Sequence, residues 1–265
     1  MLPEARTIDI DGRPVAWREA GDGRPLVLVH GIGGSSDSWA AQFDAFKSTR
    51  RVVAWDAPGY GGSALLPQGE ATAARYAGLL AGLLDHLGVA SPDLVGHSIG
   101  APIVAALNRL RPALARRVVL IHPIDGGGRL DAAGKSDLRA GRLKDVEALG
   151  MAEFAATRGL AIVGKGTPPW AVADIVRIMS AIDIAAYRAM VDVIVSADLV
   201  GDAPLIRVPA LVIAGADDVV APEPLCRRIA AALPEPTFRL LPGIGHYLPI
   251  EDPDRLADVA GPFLS

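Results

Sequence analysis

Residues 94–104 read LVGHSIGAPIV, an apolar run in which a glycine stands two residues to either side of Ser98. This G-x-S-x-G pentapeptide follows a predicted strand over residues 93–97 and precedes a predicted helix over residues 99–110. Flanking glycines leave room for a sharp turn that can raise the serine hydroxyl at the strand end. The alternative is an ordinary strand end with polar residues. The position between a strand and a helix favours a turn that presents Ser98.

Outside this turn, continuous apolar runs alternate with helical patterns along most of the chain. Apolar runs rich in branched residues predict strands that are buried on both faces, which is typical of parallel sheets. Asp11-Gly12 predicts a hairpin between the first two strands. The alternation predicts an α/β fold with a mostly parallel sheet and helices on both of its faces. The buried strands are expected at residues 25–30, 51–55, 93–97, 117–121, 210–214 and 237–241.

The alternation stops over residues 125–200, where apolar residues recur at helical spacing. Several helices placed between two strands of a sheet predict an inserted cap or lid. The core of the fold is then expected to comprise residues 1–124 and 201–265. The aromatic and methionine side chains of the insertion are interpreted mainly as packing residues.

Composition and charge favour a globular protein and disfavour the nucleic-acid-binding and membrane-spanning classes. Of the 265 residues, 51% are hydrophobic and the net charge is −4, which is typical of a globular protein with a large core and disfavours nucleic-acid binding. No apolar run approaches the ~18 residues of a membrane span. The single cysteine, Cys226, excludes an intrachain disulfide and a thiolate metal site. We therefore expect a cytoplasmic protein that binds neither membrane nor nucleic acid; monomer and homodimer both remain open.

A serine hydroxyl becomes a strong nucleophile only when a base accepts its proton. Of the five histidines, His246 is the best candidate because it follows the last strand and precedes the last helix, and His122 is its competitor. The acid that orients the base can be Asp217, Asp218 or Asp125, each of which follows a predicted strand. An aspartate in such a loop can equally serve as a turn or helix cap.

Five separated motifs occur in the order seen in the α/β-hydrolase superfamily, which the chain resembles over essentially its whole length. They are HGIGG (30–34), DAPGYGGS (56–63), GHSIG (96–100), GADDVVAP (215–222) and GIGHYLPIEDP (243–253). The resemblance implies that Ser98 is the nucleophile, His246 the base and Asp218 the acid. It also implies an oxyanion hole made by the backbone N–H groups of Ile32 and Ile99. In many members of the superfamily a further glycine follows the G-x-S-x-G pentapeptide, whereas this chain has Ala101-Pro102 there.

Within the superfamily, the chain looks most similar to 3-oxoadipate enol-lactonases and small esterases. This likeness implies a serine hydrolase that cleaves a carboxylic ester or lactone of a small, mainly apolar substrate through an acyl-enzyme. A C–C bond hydrolase with the same triad is the alternative, and a non-catalytic binding protein of the same fold is the second. No cofactor or metal is expected.

The substrate pocket is predicted from the positions of loops. Beside Ile32, we expect its lining to include Gly31, Trp39, His97 and Ile124. The cationic side chains between residues 125 and 200 have two interpretations: they bind a substrate carboxylate, or they are surface charges exposed to solvent. The candidates are Arg129, Arg139, Arg142 and Lys165.

Overall fold

The computed structural model describes residues 2–265 and contains one eight-stranded sheet. Its strand order is β1-β2-β4-β3-β5-β6-β7-β8. The first two pairings, β1 with β2 and β2 with β4, are antiparallel, and all others are parallel. The prediction of a mostly parallel sheet is confirmed. The strands are β1 (Ala5–Ile10), β2 (Arg13–Ala20), β3 (Arg24–Val29), β4 (Arg50–Trp55), β5 (Asp93–His97), β6 (Arg117–Ile121), β7 (Ala210–Gly215) and β8 (Pro236–Leu241).

The hairpin between β1 and β2 turns at Asp11 and Gly12, as the sequence predicts. Both residues have positive φ, 53° and 76°, which is the conformation of a type I′ turn. This turn has the right-handed twist of the strands that it joins. The hairpin of β1 and β2 therefore adds two antiparallel strands to one edge of the sheet, next to β4.

Helices cover both faces of the sheet. The helices of the core are α1 (Ala40–Phe46), α2 (Ala73–His86) and α3 (Gly100–Leu110), and those between β6 and β7 are α4 (Ala132–Ala161), α5 (Pro169–Ser180), α6 (Ile184–Ser196) and α7 (Leu199–Asp202). The last three helices are α8 (Glu223–Ala232), α9 (Leu248–Glu251) and α10 (Pro253–Leu264). The sequence predicts one helix over residues 37–46, but a short 3₁₀ turn, Ser36–Trp39, precedes α1.

Alternate residues of the central strands β3 to β7 enter two separate cores. On β3, Val27 and Val29 pack with α2, α3 and the inserted helices, whereas Leu26 and Leu28 pack with α1 and α10. All four side chains are fully buried. Both faces of the strand are therefore apolar, which explains the continuous hydrophobic runs of the sequence.

The inserted segment, residues 125–200, contains most of α4–α7. Helix α4 is interrupted at Gly150, whose φ of 76° and ψ of 164° are not helical. The sequence predicts only residues 145–157 of it as helix, because its polar first half has little amphipathic periodicity. Among residues 2–265, no helix has the length and apolar character needed to cross a bilayer.

Candidate active site

Ser98 stands on a strained turn between β5 and α3. Its φ is 55°, in the left-handed region that costs free energy for a residue with a side chain. The Ser98 N–H donates to the Ile121 carbonyl of β6 at 2.9 Å, which fixes the turn to the sheet. A Cβ on Gly96 would lie 2.6 Å from the Gly100 carbonyl oxygen, so the turn can close only with glycine there. The backbone thereby holds the hydroxyl at the carboxyl edge of the sheet.

Three side chains from distant parts of the chain form a hydrogen-bonded relay. His246 Nδ1 lies 2.8 Å from Asp218 Oδ2, and His246 Nε2 lies 2.9 Å from Ser98 Oγ. A carboxylate only accepts, so Nδ1 carries the proton and Nε2 is the acceptor for the serine O–H. All three residues are buried. The arrangement can remove the serine proton and store it on an imidazole beside a carboxylate.

Asp218 owes its place to the turn that follows β7. Its Oδ1 accepts the N–H groups of Val220 at 2.7 Å and Ala221 at 3.0 Å, leaving Oδ2 for His246. Burial by itself would raise the pKa of Asp218, but the imidazole of His246 and these hydrogen bonds hold it well below its usual value. The group is therefore an anion aimed at His246.

The other acid candidates from the sequence serve different contacts. Asp217 is directed toward the backbone of Lys165, whose N–H donates to it at 3.4 Å. Asp125 accepts the Val200 N–H at 2.9 Å and binds two arginines, so it anchors the end of the inserted segment. Neither reaches His246 within the described part of the chain.

The carbonyl of His246 is held by two further histidines. His97 Nε2 and His122 Nδ1 each lie 2.7 Å from that oxygen and donate to it. Burial lowers the pKa of both rings, and the neighbouring imidazoles lower it further, while the Asp218 carboxylate partly opposes the shift. The net direction favours the neutral form of both donors. His122, the competing base candidate, therefore orients the backbone of His246 and does not contact Ser98.

These three imidazoles also bring potential metal ligands within 4.8 Å of one another. Both ring nitrogens of His246 are already engaged, as are the nitrogens by which His97 and His122 reach its carbonyl. A metal ion would have to displace the hydrogen bonds that assemble the relay. The donor set therefore fits the relay better than a resident ion.

The loop after β3 approaches Ser98 from the opposite side. A Cβ on Gly31 would lie 3.1 Å from the Ser98 Cβ, so glycine allows the close approach. The Tyr60 hydroxyl donates to the Ile32 carbonyl at 2.9 Å and fixes the loop. In the described residues, the amides of Ile32 and Ile99 donate to no backbone carbonyl. Both are free to donate to a ligand.

Glu251 is a residue of the site that sequence reasoning missed. Its buried carboxylate accepts the N–H groups of Tyr247, Gly245 and Gly164 and the hydroxyl of Thr167, at 2.6 to 3.0 Å. It therefore ties the His246 loop to the inserted segment. The only available signal was its place in the GIGHYLPIEDP motif.

A pocket opens at Ser98 and His246, with about 460 Å³ of unfilled space when the part open to solvent is included. Of the predicted lining residues, Gly31, Ile32, His97 and Ile124 lie there. Arg142 lines it as well, whereas Arg129 and Arg139 pair with acidic residues outside it. The structure adds side chains that the sequence did not single out: Phe154, Arg158, Ile162, Met179, Tyr187, Ile194, Val220 and Tyr247.

The prediction for Trp39 is wrong. Its indole is fully buried with Phe43 and Leu248 in the core between the sheet and α1, α9 and α10. The 3₁₀ turn at Ser36–Trp39, capped by the Ser35 side chain, sets the direction of residue 39. The sequence places this residue in a helix just after the glycine-rich loop, and it contains no signal for the face on which the indole emerges.

Comparison with known proteins agrees with this architecture. The chain is 29% identical to RutD of Caulobacter sp. (strain K31), a protein named as a carbamate hydrolase, over 99% of this chain and 98% of that one. It is 36% identical to the 2-hydroxymuconate semialdehyde hydrolase of Pseudomonas putida, over 40% of this chain and 38% of that one. Several other curated relatives also align over less than half of either chain.

Solved structures extend the likeness to the whole fold. The enol-lactonase of Burkholderia xenovorans LB400 superposes with a TM-score of 0.86 at 26% identity, covering 98% of this chain and 99% of that one. The model of the alpha/beta hydrolase family matches residues 26–259, which include the serine turn, both loops of the relay and the inserted helices. The chain therefore belongs to the alpha/beta hydrolase family.

Proposed function

We propose that this protein is a serine hydrolase that cleaves a carboxylic ester or lactone of a small substrate through an acyl-enzyme. The observation that carries the proposal is the buried Ser98–His246–Asp218 relay at the floor of a pocket. The solved structure named as an enol-lactonase supports lactone cleavage, and the relatives named as hydrolases support hydrolysis in general.

In the first half-reaction, Ser98 Oγ attacks the carbonyl carbon while its proton passes to His246 Nε2. Asp218 stabilises the resulting imidazolium through Nδ1–H. The negative charge that develops on the carbonyl oxygen is stabilised by the amides of Ile32 and Ile99, which are free to donate. Collapse of the tetrahedral intermediate breaks the C–O bond, and the imidazolium gives its proton to the leaving alkoxide.

The second half-reaction repeats these roles with water. His246 Nε2 accepts a proton from the water that attacks the acyl carbon, and the same two amides stabilise the oxyanion. The ester bond to Ser98 then breaks, and the proton returns to the serine oxygen. The product is a carboxylic acid, and for a lactone the alcohol and the acid belong to one molecule.

The test is turnover of p-nitrophenyl acetate, butyrate and octanoate by the unmodified protein and by Ser98→Ala. Loss of the nucleophile is expected to reduce kcat by a very large factor, on the order of 10⁶ as in another serine hydrolase. Bulky side chains line the pocket at Ser98, among them Phe154, Met179 and Tyr187, and they predict a preference for the short acyl chains. Equal turnover by both proteins would refute the serine mechanism. Ligand binding without turnover in the unmodified protein would favour a non-catalytic binding protein.

A C–C bond hydrolase is the second candidate, and the observation that favours it is the likeness to the 2-hydroxymuconate semialdehyde hydrolase. The same relay can serve that reaction, with a carbon leaving group in place of an alkoxide. Ring-cleavage dienones are the substrates that separate the two. Turnover of a dienone with no turnover of any nitrophenyl ester would select the second candidate.

A further inference from the structure

The inserted segment carries six arginines, which differ in their partners. Four form ion pairs with acidic side chains: Arg129, Arg139, Arg177 and Arg188. Within residues 2–265, Arg142 and Arg158 form neither an ion pair nor a hydrogen bond through their guanidinium groups, although both are half-buried. A half-buried guanidinium without an anion has lost part of its hydration without replacing it.

Both unpaired arginines line the pocket that contains Ser98 and His246. They come from the two halves of α4, on either side of the break at Gly150. A straight helix would place residues 16 positions apart about 24 Å apart along its axis. The break is what allows the two halves to reach one cavity.

Tyr187 of α6 supplies a neutral donor beside the two arginines. Its side chain is buried, and its ring packs edge-on against Phe154 with the centroids 5.5 Å apart. Burial raises the pKa of Tyr187 even though Arg142 and Arg158 are near, so its hydroxyl keeps its proton. Within the described chain, that hydroxyl has no hydrogen-bond partner of its own.

The pocket supplies no counter-charge. Among the described residues that line it, none is Asp or Glu. Asp137 and Asp145 line a neighbouring pocket that Arg142 and Arg158 also line, and Asp145 is near enough to contribute to the raised pKa of Tyr187. Burial lowers the pKa of Arg142; the nearby Tyr187 partly opposes this shift, and the like charge of Arg158 adds to it. An anion bound between Arg142 and Arg158 would offset both the loss of hydration and the repulsion between the two guanidinium groups.

We propose that Arg142 and Arg158, with the Tyr187 hydroxyl, bind a carboxylate of the substrate. The preferred substrates are then small esters or lactones that carry a second, free carboxylate besides the bond that is cleaved. A planar guanidinium matches a carboxylate in a bidentate geometry, and the apolar lining from Ile124, Met179 and Ile194 suits the carbon chain between the two groups. This inference rests on the proposed hydrolase function, because the bound carboxylate orients an ester toward Ser98.

The first experiment compares two esters of equal chain length, p-nitrophenyl pentanoate and the mono-p-nitrophenyl ester of glutaric acid. The unmodified protein is expected to have the higher kcat/KM on the anionic ester. In Arg142→Gln and Arg158→Gln, the ratio of anionic to neutral kcat/KM should fall by about 10- to 100-fold, the range for a charged hydrogen bond. Arg139→Gln is the matched control, since Arg139 lies on the same helix but pairs with Asp192. Its ratio should not change.

A binding measurement separates this inference from the proposed reaction. By calorimetry, the unmodified protein should bind glutarate at least about tenfold more tightly than neutral glutaramide, a comparison that needs no variant. Unchanged ester ratios in both arginine variants, or equal binding of glutarate and glutaramide, would overturn the carboxylate site and leave the serine hydrolase standing. Turnover that survives Ser98→Ala would refute the hydrolase, while preferential glutarate binding would still uphold the anion site.

Discussion

Glu251→Gln should uncouple the His246 loop from the inserted segment. One carboxylate oxygen accepts from Gly164, Gly245 and Thr167, and the other accepts from Tyr247. A glutamine keeps only one acceptor oxygen, so in either amide orientation its NH₂ faces at least one buried N–H. An unsatisfied buried donor costs about 1–3 kcal/mol, and bonds to a charged group contribute more than neutral ones.

From these contacts we expect Glu251→Gln to lower the free energy of unfolding by about 2–4 kcal/mol. For a chain of this size, that corresponds to a fall in Tm of roughly 5–15 °C. Displacement of His246 by a fraction of an ångström should also lower kcat, by about 10- to 100-fold, with a smaller effect on KM for a short ester. Glu251 is a positioning residue, so the split between kcat and KM is the informative readout.

The assay is thermal or urea unfolding together with steady-state kinetics on p-nitrophenyl butyrate. Glu153→Gln is the control, because it makes the same chemical change at an exposed position of α4. A Glu251→Gln protein with the Tm and kcat of the unmodified chain would refute the reasoning. A loss of stability with unchanged kcat would show that the network supports the fold but does not position His246.

Two further predictions follow from the relay and its supporting histidines. Asp218→Asn should lower kcat on p-nitrophenyl butyrate by about 10⁴-fold, as the equivalent change does in a serine protease. The reason is that the amide no longer selects the His246 tautomer that carries its proton on Nδ1. Activity within tenfold of the unmodified protein would contradict this prediction. Burial lowers the pKa of His97 and His122 from 6.5, so below pH 6.5 the unfolded chain binds more protons than the folded one. The free energy of unfolding should therefore fall as the pH drops from 7 to 5, by up to about 1.4 kcal/mol per pH unit for each histidine. Urea unfolding at pH 5, 6 and 7 measures this dependence. His122→Phe should reduce the slope of the unfolding free energy against pH, whereas His86→Gln, at an exposed position, should not. A urea midpoint that does not change with pH would contradict the prediction.

The sequence by itself was enough for the architecture. Apolar runs on both faces of the central strands predict a parallel sheet, and the type I′ turn at Asp11-Gly12 predicts the hairpin. These features are local, since periodicity and turn chemistry act over a few residues. The same holds for the turn at Ser98, which needs only glycines beside a strand end. The family motifs add the order of serine, acid and histidine along the chain.

Only the tertiary structure decided which side chains share the pocket. Asp218 reaches His246, and His246 reaches Ser98, across sequence separations that no local pattern encodes. Trp39, the last residue of the 3₁₀ turn Ser36–Trp39, emerges into the opposite core. Arg158 carried no distinctive local pattern, and Glu251 carried only its place in the GIGHYLPIEDP motif, because their roles arise from the groups that they contact or fail to contact. Whether a charge is paired or free depends on long-range packing. This is the physical reason that the sequence could name Arg142 among several cations that might face a carboxylate but could not separate it from Arg129 and Arg139, which the structure pairs with acidic side chains.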